Sequence, residues 1–203
     1  MIRPSLILLA AGTALASSPA AAAVLVYTAS LIGAHEVPPA ATPGSGFAVV
    51  TVDDVANTMR VQVDFSGLVG NTVASHIHCC QPAGTNAQVA TTTPTFPGFP
   101  LGVTAGTYDQ TFDMTLASSY NPAFVTAHGA NVTQARTDFF AGLAARQAYL
   151  NVHSSVFPGG EIRGQLFARV PEPASWALML AGFGLLGGAV RVSRFRTTAS
   201  LSR

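Results

Sequence analysis

Between residues 59 and 65 the chain alternates strictly: Met59, Val61, Val63 and Phe65 are apolar, and Arg60, Gln62 and Asp64 between them are polar. Side chains on a strand project to opposite faces with a period of two, so this is a strand with one buried face. The same reading gives β-rich segments at 24–32 and 46–52, a turn at 53–58, and strands at 73–80, 109–116, 148–154 and 161–169. In 109–116 the apolar members are Phe112, Met114 and Leu116. Over 131–147 the spacing becomes helical: Phe139, Phe140 and Leu143 share a face, and Asn131 or Thr133 is placed to cap the first turn. From 81 to 106, prolines at 82, 94, 97 and 100 interrupt any regular element, which predicts an extended surface loop. Short strands separated by turns, with one short helical insertion, predict an all-β fold: an antiparallel, Greek-key-like β-sandwich forming one domain over 24–169.

The two ends follow a different pattern. Residues 1–23 carry Arg3, the apolar run Leu6 to Ala11 and a small-residue tract ending Pro19-Ala20-Ala21-Ala22-Ala23, the layout of a secretory signal peptide cleaved near Ala22 or Ala23. Residues 170–203 hold Pro171-Glu172-Pro173, a charge-free stretch from Ala174 to Val190, and then Arg191, Arg194 and Arg196. That stretch, as a helix, would reach about 25 Å, just short of a hydrocarbon core. It predicts a C-terminal transmembrane sorting helix with its arginines on the cytoplasmic side.

The ends also change the charge. The whole chain has a formal charge of +1, but between 24 and 169 five arginines face eight acidic residues, a net −3. An acidic domain without lysine has no basic patch for nucleic acid, which excludes DNA and RNA as expected partners. No Gly-x-Ser-x-Gly elbow, Ser-x-x-Lys pair, phosphate loop or dinucleotide fingerprint is present, so no enzymatic activity is expected.

Chemistry concentrates in one strand. Residues 76–80, His-Ile-His-Cys-Cys, contain two of the five histidines and both cysteines. On a strand His76 and His78 share a face, and Ile77 and Cys79 point the other way. With Leu150 and Val152 buried, Tyr149, Asn151 and His153 fall on one face of the penultimate strand, and Glu161 and Arg163 on the matching face of the last. His153 is therefore expected near Glu161 or Arg163, which would act as its structural partners. Two imidazoles two residues apart, joined by a third, form a donor set for copper or zinc. The alternative is that these histidines bond to Glu161, to backbone carbonyls or to one another. His128 reads as a solvated turn residue. Regular alternation sends Cys79 and Cys80 to opposite faces, so a vicinal disulfide between them requires the strand to end or kink at Cys79; soft-metal ligation or an intermolecular bond are the alternatives.

The segments Gly33-Ala34-His35-Glu36-Val37-Pro38-Pro39, Thr42-Pro43-Gly44-Ser45-Gly46, Phe65-Ser66-Gly67-Leu68, His76-Ile77-His78, Tyr149-Leu150-Asn151-Val152-His153 and Phe157-Pro158-Gly159-Gly160-Glu161-Ile162-Arg163-Gly164-Gln165-Leu166 together resemble the CHRD domain, named after chordin. The resemblance implies an extracellular β-rich module. The tail resembles the PEP-CTERM sorting signal of Gram-negative bacteria. That resemblance implies an exosortase as partner, transient anchorage in the inner membrane, and transfer to the cell surface or an extracellular, biofilm-type polysaccharide matrix.

Two readings follow. In the first, the domain is a non-enzymatic binding or structural module without a cofactor, whose partners are extracellular polysaccharide or surface proteins. In the second, it is a secreted copper- or zinc-binding protein using His76, His78 and His153. Superoxide-dismutase-like redox activity enters that reading by analogy alone, because the further ligands of those enzymes are not found at recognisable spacing.

Overall fold

A computed structural model describes residues 24–169, together with Met179 and residues 182–184. Over residues 24–169, nine strands and two α-helices follow in order: β1 (Leu25–Ile32), β2 (Ser45–Asp53), β3 (Thr58–Ser66), β4 (Thr72–Cys79), β5 (Gln88–Val89), β6 (Gly106–Asp113), α1 (Pro122–Ala127), α2 (Val132–Ala144), β7 (Ala148–Ser154), β8 (Ile162–Gln165) and β9 (Phe167–Ala168). The fold is all-β, and every ladder is antiparallel. Hydrogen bonds join the strands along one path, β5-β4-β7-β8-β1-β2-β3-β6, with β9 beside β1. The chain makes a meander from β1 to β3, crosses to the far end for β4, and returns to lay β6 against β3.

The alternation read from the sequence gives the core directly. Met59, Val61, Val63 and Phe65 of β3 face Ala48, Val50 and Val52 of β2 and Tyr27, Ala29 and Leu31 of β1, all buried. Asn131 caps α2, its side chain accepting from the backbone N–H groups of Thr133 and Gln134. A buried face of α2 comprising Ala135, Phe139 and Leu143 joins this core.

Three expectations are corrected. A second, six-residue helix, α1, precedes α2; its start at Pro122 is capped by Asn121, a cap and first-turn proline that the apolar spacing alone did not expose. The strand expected at 109–116 runs instead from Gly106 to Asp113, so Tyr108 and Phe112 point inward and Leu116 is exposed. The passage 81–106 is mostly exposed, as expected, but it is not free of regular structure: it contains β5 and is anchored at Ala90, Thr91, Phe96 and Phe99, which are buried. Its backbone substitutes for a strand along the free edge of β4: Ala90 N donates to Ile77 O (2.9 Å), Phe96 N to Ser75 O (3.0 Å) and Gly102 N to Thr72 O (2.9 Å), while Leu68 N donates to Thr104 O (3.1 Å) beyond it. Phe96 is fully buried and packs on Tyr108 and Phe112, with ring centroids 5.7 and 5.5 Å away. Prolines forbid a continuous ladder but not isolated hydrogen bonds and apolar anchors, and these close the gap between β4 and β6.

Candidate functional site

The strands β4 and β7 are each covered on both faces. Ile77, Cys79, Leu150 and Val152 face the core, yet β7 is buried at all seven positions. Its outer face lies under residues 85–94, which fold back across it. Ala87 N donates to Tyr149 Oη (3.2 Å), and Asn86 Nδ2 donates to Val37 O (2.9 Å), tying the cover to the segment after β1. Arg163 fastens it from below, Nη1 donating to Asn86 Oδ1 (2.9 Å) and Nη2 to Thr85 O (2.6 Å). The Arg163 guanidinium lies 3.3 Å from the Tyr149 ring centroid, and the His78 ring stacks on the same tyrosine at 4.7 Å.

Under this cover the ladders bring His76, His78 and His153 together. His76 pairs with Asn151 and His78 with Tyr149 across β4–β7, and His153 lies two residues beyond Asn151 on the same face. One ring nitrogen from each histidine falls within 4.8 Å of the others. The opposite nitrogen of each ring bonds a backbone carbonyl: His76 Nε2 with Pro94 O (2.6 Å), His78 Nδ1 with Ala87 O (2.8 Å) and His153 Nδ1 with Pro158 O (2.9 Å). A carbonyl can only accept, so each of these nitrogens carries the proton, and the tautomers are fixed. What remains is one lone pair per ring, on His76 Nδ1, His78 Nε2 and His153 Nε2, each buried and without a hydrogen-bond partner. Burial lowers the pKa of all three, to about 4 for His76 and His78, so the rings are neutral at pH 7. Nearby histidines lower His76 and His78 further, against the opposing pull of the carbonyl bonds.

Neutral, tautomer-fixed imidazoles with convergent lone pairs are what metal coordination requires, and the second hydrogen bond of each ring is the usual orienting contact of a metal-bound histidine. The donor set is all imidazole nitrogen, which suits copper and zinc.

Glu161 is not a partner of His153. Its carboxylate turns to the other side and accepts from Thr42 Oγ1 (2.6 Å), Val69 N (2.6 Å) and Gly70 N (3.3 Å). The hairpin register sets Arg163 opposite Asn151 rather than His153. The carboxyl that approaches the histidine face is Glu36, which had carried no assigned role. It is 6 % exposed, and burial pushes it up to about 7 against the pull of the Arg163 guanidinium and the Asn151 amide. The available signal was a lone acid in an otherwise apolar, proline-flanked segment. Cys79 and Cys80 form a vicinal disulfide at the end of β4, packed against Gly142 of α2. His35 is exposed, and His128 ends α1, its Nδ1 bonded to Phe124 O (2.7 Å) and its ring on Phe124, rather than lying free in solvent.

The signal peptide and the sorting residues Pro171, Glu172, Pro173, Arg191, Arg194 and Arg196 lie outside the described residues, as does nearly all of the expected C-terminal helix. Among the described residues, no helix is long and apolar enough to cross a membrane.

Comparison with protein families gives two matches. A family model described as CHRD domain matches residues 27–166, and one described as PEP-CTERM protein-sorting motif matches residues 169–194. Neither the curated proteins nor the solved structures contain a match. The sorting motif marks the chain for exosortase processing: it is exported, anchored transiently in the membrane, and then placed at the cell surface or outside the cell.

Proposed function

This chain belongs to the CHRD family, and from that premise we propose that its exported domain is a non-enzymatic metal-binding module of the cell surface or extracellular matrix, holding copper or zinc through His76, His78 and His153. One observation carries the reading: one ring nitrogen from each of the three histidines falls within 4.8 Å of the others, and each ring keeps one buried nitrogen without a hydrogen-bond partner while a backbone carbonyl holds the proton on the other. A histidine cluster serving only to pack would leave these lone pairs buried and unpaired, at a cost on the order of 1–3 kcal/mol each. A single cation that draws the three rings together would satisfy all of them.

Three protein ligands leave a fourth position on a tetrahedral ion. The site lies on the face of the sheet opposite Ile77, Leu150 and Val152, beneath the 85–94 segment, so the apolar core does not depend on the ion. The module would thus take up or release metal without unfolding.

The test is metal analysis of the purified protein after dialysis against copper or zinc. One equivalent is expected for wild type, and none for a His76→Ala/His78→Ala variant whose circular dichroism is unchanged. Wild-type protein that retains no metal and gains no thermal stability from either ion would refute the reading.

A further inference from the structure

Among the described residues, five buried side-chain atoms have no hydrogen-bond partner: His76 Nδ1, His78 Nε2, His153 Nε2, Glu36 Oε1 and Asn151 Oδ1. All are electron-pair donors, and all belong to one corner of the fold. The three nitrogens are the proposed ligands. The two oxygens are not explained by the ion alone, because an acceptor calls for a proton. Two such acceptors buried together without a donor are unfavourable.

Their placement ties them to the same centre. Asn151 is 2 % exposed, stands opposite His76 across β4–β7, and lies on the His153 face of β7. Glu36 arrives from the segment after β1, held against the backbone of Gly160, where an added Cβ would collide with its carboxylate. Gly160, at φ 134°, closes the hairpin whose Pro158 carbonyl orients His153. Glu36 also forms part of the wall of a cleft of about 290 Å³, between residues 37–40 and 156–160.

A water occupying the fourth coordination position offers its oxygen to the ion and two O–H groups to the protein. Two acceptors stand ready, which accounts for all five atoms at once. We infer that Glu36 and Asn151 hold a water, or the hydroxyl group of a small ligand, in the open coordination position of the ion bound by His76, His78 and His153. The inference rests on the metal-binding reading above and fails separately from it. Glu36 and Asn151 are not themselves ligands: they position the exchangeable one and select for an O–H donor over an aprotic anion.

The experiment loads the full chain with Cu(II), the divalent ion that nitrogen donor sets hold most tightly, and titrates it with azide, an anion with no proton to donate. With the titration run above about pH 8, where Glu36, pushed up to about 7 by burial, is ionised, wild type is expected to bind azide weakly because the carboxylate repels it. Glu36→Gln, which replaces that charge with an amide donor of the same shape, is expected to keep one equivalent of copper and to bind azide about tenfold more tightly, equivalent to about 1.4 kcal/mol. Pulsed EPR of the wild-type copper protein in D2O supplies a check that needs no variant, and exchangeable deuterons on a coordinated oxygen are expected. Copper bound at full stoichiometry with no such deuterons, or with azide affinities of wild type and Glu36→Gln within twofold, overturns the inference and leaves the metal site standing. A wild-type protein that takes up no metal overturns both.

Discussion

Glu161 offers a direct test of how the histidine hairpin is held. It is fully buried and ionised, and three donors from two other segments converge on it: Thr42 Oγ1, Val69 N and Gly70 N. The same hydrogen bonds, with Ser154, hold its pKa below the usual carboxylate value in spite of burial. Glu161→Gln keeps the shape but removes the charge and turns an N–H group toward backbone donors. Hydrogen bonds to a charged group contribute about 1.5–3 kcal/mol against about 0.5–1.5 kcal/mol for neutral ones. Weakening the two short bonds by about 1 kcal/mol each, and opposing one donor with another for a further 1–2 kcal/mol, gives a loss of about 3–4 kcal/mol. For a domain of this size that is a fall in Tm on the order of 10 °C. The assay is thermal unfolding of wild type and variant as a function of pH. A carboxyl with a lowered folded pKa stabilises above its unfolded value, 4.5, and loses that contribution as pH falls through the folded value, so the gap should be full at pH 7 and narrow below about pH 4. A difference below about 2 °C at pH 7, or a gap that does not change with acid, would refute the reasoning.

Phe96→Ala should cost about 3–5 kcal/mol in urea unfolding, because its buried ring anchors the 81–106 passage to the core; a loss below about 1 kcal/mol would refute that anchoring role. Gly142→Ala drives a methyl group into the Cys79 sulfur and to 2.7 Å from that of Cys80, so a destabilisation of about 1–3 kcal/mol is expected in the same assay. The metal-free protein should lose stability as pH falls from 6.5 to about 4, since the unfolded histidines take up protons that the buried His76 and His78 refuse; the upper bound is about 3 kcal/mol for each ring, and a His76→Ala/His78→Ala variant should flatten the profile. Deleting 170–203 should leave an exported domain recovered in the medium or periplasm on fractionation, with none in the membrane fraction.

The parts of this fold that were legible in the sequence are those where one face meets the core and the other meets solvent, as in β3, where Arg60, Gln62 and Asp64 mark the outside. The histidine face was legible for the same reason: alternation alone put His76 with His78, and Asn151 with His153. It did not reveal that this face is buried too. That depends on the 85–94 cover, whose hydrogen bonds are made largely by backbone and whose sequence, rich in Thr, has no period. Glu161 was misassigned because the face pattern was carried one residue past the end of β8, which begins at Ile162. Gly160, at φ 134°, redirects the chain just before it. Glu36 escaped because nothing in a short segment between strands says which way a side chain turns.

The carbonyls that orient the three rings belong to Ala87, Pro94 and Pro158, and every residue type supplies that same oxygen. The protonation pattern of the site is thus written in chain length rather than in side-chain identity. Substitutions at 87, 94 or 158 that preserve the backbone path leave it intact, whereas one residue inserted or lost between His78 and Pro94, or between His153 and Pro158, would move a carbonyl out of reach and release a ring to the wrong tautomer. The site should therefore tolerate drift in sequence around its ligands and be intolerant of changes in spacing.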